Sequence, residues 1–236
     1  MEIVDVNTQF GPLPMASSDL AVDDLLGLMQ KYQVQAAYTL STLGLLLDPT
    51  AGNSATKAAC GEHPKLLPIA TLNPLMYFGD NSVVLGLVGQ YRMVRFAPEI
   101  QGYPIDFAPL GELVTAAAAS LPVMIDVQKP GDITALERLI GDVPKPIILE
   151  GVHATLLAET VSALKRHPQW YVETSALLIP GAIKMLAETI GAERILLGTN
   201  APLQPLAGAI QTVRLSGVTE QALTQILGAN ARRILG

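Results

Sequence analysis

The sequence predicts an α/β fold of one particular kind, a (β/α)8 TIM barrel forming a single domain over residues 1–236. Short β-type runs alternate with helical patterns from end to end, and eight such runs fit into 236 residues, close to the smallest length that allows eight βα units. Several of the runs are nearly continuous in Val, Ile and Leu, the pattern of parallel strands covered outside by helices. A doubly wound open sheet is the competing architecture. It seldom needs eight strands, and no glycine-rich phosphate fingerprint follows the first strand.

Taken in order, the first strand is Ile3–Phe10 and the second Val34–Ser41, with a helix between them capped by Ser18 and running to about Tyr32. That helix sets Leu20, Leu25, Leu28 and Met29 on one face. The third strand, Leu66–Asn73, leads into the weakest unit, where Asp80–Val88 offers only a short helix. Met93–Pro98 is the fourth strand, followed by a helix over Asp106–Leu121. Pro122–Gln128 is the fifth, with the next helix over Asp132–Val143 and Asp132 as its N-cap. Pro146–His153 is the sixth, then a helix over Thr155–Arg166. Trp170–Ser175 is the seventh, then a helix over Gly181–Gly191. Ile195–Thr199 is the eighth, and helices over Ala207–Leu215 and Thr219–Leu235 close the chain.

Composition narrows the function classes. Half the residues are apolar, only 15% are charged, and the mean hydropathy is +0.37, which excludes a disordered chain. The net charge of −6 and the scatter of fifteen basic residues argue against a nucleic-acid partner, which demands clustered Lys and Arg. The longest apolar stretch, Leu113–Ile125, is too short to span a bilayer and contains Thr115, Ser120 and Pro122, so no membrane partner is expected. A single cysteine, Cys60, excludes a disulfide framework, and no signal-peptide pattern opens the chain; a cytoplasmic location is the expectation. The expected partner is a small-molecule ligand, and a homo-oligomer is left open.

In a barrel, chemistry sits at the C-terminal ends of the strands. The polar residues there include Asn7, Gln9, Arg95, Asp126, His153 and Asn200. Asp126 is the candidate general base, because a carboxylate among apolar walls gains basicity by desolvation; its structural alternative is an ion pair with Arg95. Arg95 is a candidate clamp for a substrate carboxylate or phosphate. His153 is either an acid, base or oxyanion donor, or a hydrogen-bonding residue for the next helix. Asn7, Gln9 and Asn200 form either a polar cage for a small ligand or a set of amides bonded to one another. Strict alternation from these positions turns Glu150 and Glu173 outward as salt-bridge partners, and Cys60 reads as a buried thiol on an outer helix.

These segments resemble the amidohydrolase superfamily, in its branch of small metal-dependent hydrolases and decarboxylases. DVNTQFG at 5–11 is similar to its opening D-x-H-x-H-x-G, and GEHPKLLPIATLNP at 61–74 to its lead into the third strand. LPVMIDVQ at 121–128, IILEGVHA at 147–154 and YVETSA at 171–176 resemble its next inner strands. AERILLGTNAP at 192–202 resembles its R-(apolar)3-G-S-D-x-P signature, and NARRILG at 230–236 its closing helix. The resemblance implies metal ligands at five positions, and all five are changed: Asn7, Gln9, Asp126, Gly151 and Asn200 stand there. No cofactor is therefore expected, the alternative being a single divalent metal such as zinc. The functional expectation is a metal-independent hydrolase of a small carboxylated lactone or ester, with Asp126 as base. The alternative is an inactive barrel that binds a small molecule or a partner protein.

Overall fold

A computed structural model describes residues 1–13 and 20–236 of the chain. Eight parallel strands follow one another in sequence order: β1 Val4–Phe10, β2 Ala36–Ser41, β3 Leu66–Thr71, β4 Met93–Phe96, β5 Val123–Asp126, β6 Ile147–Glu150, β7 Trp170–Glu173 and β8 Ile195–Leu196. The helices that cover them are α1 Val22–Lys31, α2 Thr42–Leu46, α3 Pro49–Glu62, α4 Ser82–Leu85, α5 Pro98–Gln101, α6 Ala108–Ala117, α7 Asp132–Ile140, α8 Leu157–Arg166, α9 Ala182–Ile190, α10 Leu206–Arg214, α11 Glu220–Thr224 and α12 Asn230–Leu235. This is the (β/α)8 barrel that the alternation predicts. The Ser18 cap lies outside the described residues. Asp132 is the first residue of α7 rather than its cap, and its carboxylate accepts from the Gln128 and Lys129 amides, bracing the preceding loop.

The pleat sorts side chains into two cores. Val94, Phe96, Val123, Ile125, Ile147, Leu149 and Val172 face outward into the layer beneath the helices. Tyr38, Ile69, Met93, Met124, Ile148, Tyr171 and Leu196 face inward and fill the barrel, which Ala231 and Leu235 close at the chain's C-terminal end. Burying such side chains contributes roughly 1.5–3 kcal/mol each, so the interior is a packed core and not a pore. In β1 the pairing register shifts between Asp5 and Thr8. Val4 and Val6 join the inner cluster below the shift, whereas Asn7 and Gln9 make the inward contacts above it.

Closure joins β1 to β8. Val6 donates its amide to Leu197 at 2.9 Å, Asn200 to the Asn7 carbonyl at 2.9 Å and Gln9 to Ala201 at 2.8 Å. Asp5, fully buried, clasps this seam: its carboxylate accepts from the Thr199 hydroxyl at 2.6 Å and from the Thr199 and Asn7 amides at 3.1 Å each. Burial nevertheless pushes its pKa up to about 7, with these hydrogen bonds opposing the rise.

Asp5→Ala strands three buried donors, so urea unfolding is expected to show a loss of ~3 kcal/mol; a loss below ~1 kcal/mol would mean the seam holds without the clasp. Because the folded pKa lies above the unfolded one, the stability Asp5 supplies is complete below pH 3.8 and fades as pH rises through about 7. The gap between wild type and Asp5→Ala is therefore expected to narrow across that window.

Candidate functional site

The inward positions at the C-terminal ends of β4 to β7 carry Arg95, Asp126, Glu150 and Glu173, all buried, at 2%, 6%, 3% and 0% exposure. One ion pair organises them. Arg95 Nη2 donates to Glu150 Oε1 at 2.5 Å, and Asn7 Nδ2 donates to the same oxygen at 2.9 Å. Glu150 is thus an inward residue, contrary to the outward placement that strict alternation gives. β6 ends at Glu150, and Gly151, at φ +80°, breaks the alternation before His153. Glu173 is also inward. Its carboxylate accepts the Ser175 amide at 2.8 Å and the Ser175 hydroxyl at 2.6 Å, and it lies so close to Gly198 that a Cβ there would overlap its Oε2.

Asp126 sits beside Glu150 in strand register but does not pair with Arg95. Its Oδ1 accepts from Gln128 Nε2 at 2.6 Å, and among the described residues its other oxygen takes no protein hydrogen bond. Burial, then the neighbouring Glu150 charge, lifts its pKa to about 7, with Arg95 and the Gln128 amide pulling the other way. Burial likewise raises Glu173 to about 8, helped by Glu150. Among the described residues Arg95 is therefore the one buried cation beside several carboxyl groups, and Glu150 holds it.

The remaining candidates converge only in part. Gln9 Nε2 donates to Asn200 Oδ1 at 3.0 Å, which leaves the Asn200 Nδ2 hydrogens for a ligand. Asn200 adopts φ 52°, a left-handed geometry that asparagine tolerates, and the Ala201–Pro202 peptide after it is cis. His153 lies on the rim. Its Nε2 must donate to the Gln128 carbonyl at 2.9 Å, and its Nδ1 meets the Thr155 hydroxyl at 3.3 Å. The imidazole thereby ties the loop after β6 to the loop after β5. Arg95, Asp126, Glu150, His153 and Asn200 share the wall of a cavity of about 390 Å3. Among the described residues, Arg95 Nε and Nη1, Glu150 Oε2 and Asn7 Oδ1 are buried without a hydrogen-bond partner.

The metal site that the resemblance implies does not fit this mouth. Asn7 turns an N–H, not a lone pair, toward Glu150, and Gln9 is engaged with Asn200. At position 151 an added Cβ would stand 2.6 Å from Asp126 Oδ1 and 2.6 Å from the Val127 carbonyl, so no ligand side chain can start there. A fixed guanidinium supplies positive charge where a metal centre needs anionic or neutral donors. No group of three or more His, Cys, Asp or Glu with metal-binding geometry occurs among the described residues.

Sequence reasoning turned Glu150 and Glu173 away from the mouth and gave Gln128 no role. Glu150 was legible through its parity with Ile148, which strand pairing places level with the inward Met124. Gln128 follows Asp126 by two residues at the strand end, a spacing that lets one side chain reach the other.

No curated protein matches the sequence closely enough to count as a relative. Among solved structures, 5-carboxyvanillate decarboxylase from Sphingomonas paucimobilis superposes with a TM-score of 0.75 at 13% identity, over 99% of this chain and 98% of that one. A probable 2-pyrone-4,6-dicarboxylic acid hydrolase from Acinetobacter baumannii, with citric acid bound, gives 0.74 at 13% identity over 100% of both chains. A dihydroxybenzoic acid decarboxylase from a Polaromonas species, holding manganese and the inhibitor 2-nitroresorcinol, gives 0.76 at 13% identity over 99% of this chain and 96% of that one. At such identities the likeness shows a shared fold. The model of the amidohydrolase family matches residues 83–236, which is more than half of the sequence, and the chain belongs to that family.

Proposed function

We propose that the protein is a metal-independent hydrolase of a small ester or lactone, with Asp126 as general base. The observation that carries this reading is the state of Asp126: a carboxylate on the cavity wall, free of ion pairing, with its pKa raised to about 7 and one oxygen unengaged. Such a base is poised for proton transfer near neutrality.

In this mechanism a water in the cavity gives its proton to Asp126 as its oxygen bonds to the substrate carbonyl carbon. The negative charge developing on the carbonyl oxygen is met by the Nδ2 hydrogens of Asn200, and the positive charge of Arg95 in the cavity wall favours it through space. Collapse of the tetrahedral intermediate breaks the bond from carbon to the alcohol oxygen, and protonated Asp126 returns its proton to that oxygen. The products are a carboxylic acid and an alcohol, joined in one molecule when the substrate is a lactone. Gln9 positions Asn200, Asn7 and Glu150 position Arg95, and His153 positions Gln128 through its carbonyl. A carboxylate carried by the substrate would also find its cation in Arg95, although Glu150 already offsets much of that charge. The Acinetobacter structure of the same fold has citric acid, a small carboxylated molecule, bound, which supports this reading.

One observation favours the second reading, a barrel that binds without catalysis: Gln9 bonds to Asn200 and Arg95 to Glu150, so much of the mouth is already satisfied internally.

Asp126→Asn separates the two readings. It keeps the volume and the hydrogen bond from Gln128 while removing basicity, and is expected to lower kcat by at least about a hundredfold with an unchanged unfolding midpoint. Turnover that survives the substitution would overturn the mechanism. In wild type, kcat/KM is expected to rise with pH along a single limb centred near 7, because the base works only when ionised. A flat profile from pH 5 to 9 would assign the base elsewhere. Dialysis against a strong chelator is expected to leave turnover intact, with far less than one zinc or manganese per chain by elemental analysis. Loss of activity that either metal restores would refute metal independence.

A further inference from the structure

Asp126 and Gln128 also wall a second cavity, of about 280 Å3, whose lining does not include Arg95. It lies between the loops that follow β4 and β5. Pro98, Tyr103 and Ile105 form its buried apolar side, and Ala135 of α7 faces them. Its rim is acidic: Glu99, Asp106 and Asp132 surround a single cation, Lys129, which Glu99 already engages at 3.0 Å. Asp126, buried and with one oxygen unengaged, is open to both cavities.

We propose that this cavity is a second subsite, which takes a ring-sized apolar group bearing no negative charge, with or without an amine, while the polar end of the same ligand lies over Arg95. The walls decide the body of the ligand and the rim decides its charge. Apolar side chains on one side favour a hydrophobic group. Three rim carboxylates and Asp126 against one paired ammonium repel an anion and attract a cation. In a substrate, the reacting bond would then cross Asp126 and the alcohol part would occupy this lobe. As a substrate subsite it rests on the hydrolase reading; as a binding site it stands independently.

Benzylamine and benzoate, equal in size and opposite in charge, are the probes. Titrated into protein labelled at the Ile and Ala methyl groups, benzylamine is expected to shift Ile105 and Ala135 saturably, and benzoate to bind more weakly at both. Ala135→Leu, at a half-exposed helix position, fills the lobe and is expected to weaken benzylamine about tenfold. The same variant is expected to lower the ratio of benzyl-ester to methyl-ester turnover for one acid. Absence of saturable shifts, tighter binding of benzoate, or unchanged affinity in Ala135→Leu would overturn the subsite. Saturable binding without hydrolysis of either ester would uphold the subsite and defeat only the hydrolase reading.

Discussion

Eight strands make a barrel only where the last meets the first, and in this chain that meeting is the shortest and most burdened contact. β8 contributes two residues of ladder, both to β7, so closure onto β1 falls to a few backbone hydrogen bonds and to one buried carboxyl group, that of Asp5. The register shift in β1 belongs to the same contact. It swings Asn7 and Gln9 into the mouth at the height where β8 delivers Asn200. Every distance between the first and eighth strands at the site inherits that alignment, and the remaining strands follow it around the ring.

Within the closed barrel, charge is arranged by scarcity. Asp5, Asp126, Glu150 and Glu173 are buried, and among the described residues Arg95 is the only guanidinium buried with them. A buried ion needs a partner, and Glu150 takes that part. The other three are left to desolvation, which is why Asp126 retains a basicity that an ion pair with Arg95 would have removed. The outcome hangs on which carboxylate the guanidinium meets, and that is decided by strand order and not by composition.

The architecture was legible because it rests on periodicity. Strands such as Pro146–His153 and Pro122–Gln128 announce themselves by continuous branched residues, and the helices by their apolar stripes. The sequence set Cys60 on an outer helix but gave no bounds for α3, since PTAGNSATKAACGE carries small residues in place of a stripe, and small residues serve close packing that only three dimensions reveal. At the site, the inward facing of Arg95 and Asp126 followed from strand position. That of Glu150 did not, because alternation counted back from His153 crosses Gly151, whose left-handed backbone resets the count. Pairing partners were beyond the sequence altogether: Arg95 could have met Asp126, Glu150 or Glu173, and nothing in the local patterns ranks them.

Gly151 also bears on what this mouth could be made to hold. The resemblance implies a metal ligand where this glycine stands, yet here even a single carbon at that point would collide with the Asp126 carboxylate and with a backbone carbonyl. Placing histidines at positions 7 and 9 and an aspartate at 200 would therefore not complete the metal centre that the resemblance implies. The backbone after β6 would have to move and Asp126 give way first, so the mouth of this barrel, as it is built, has no room for any side chain at 151.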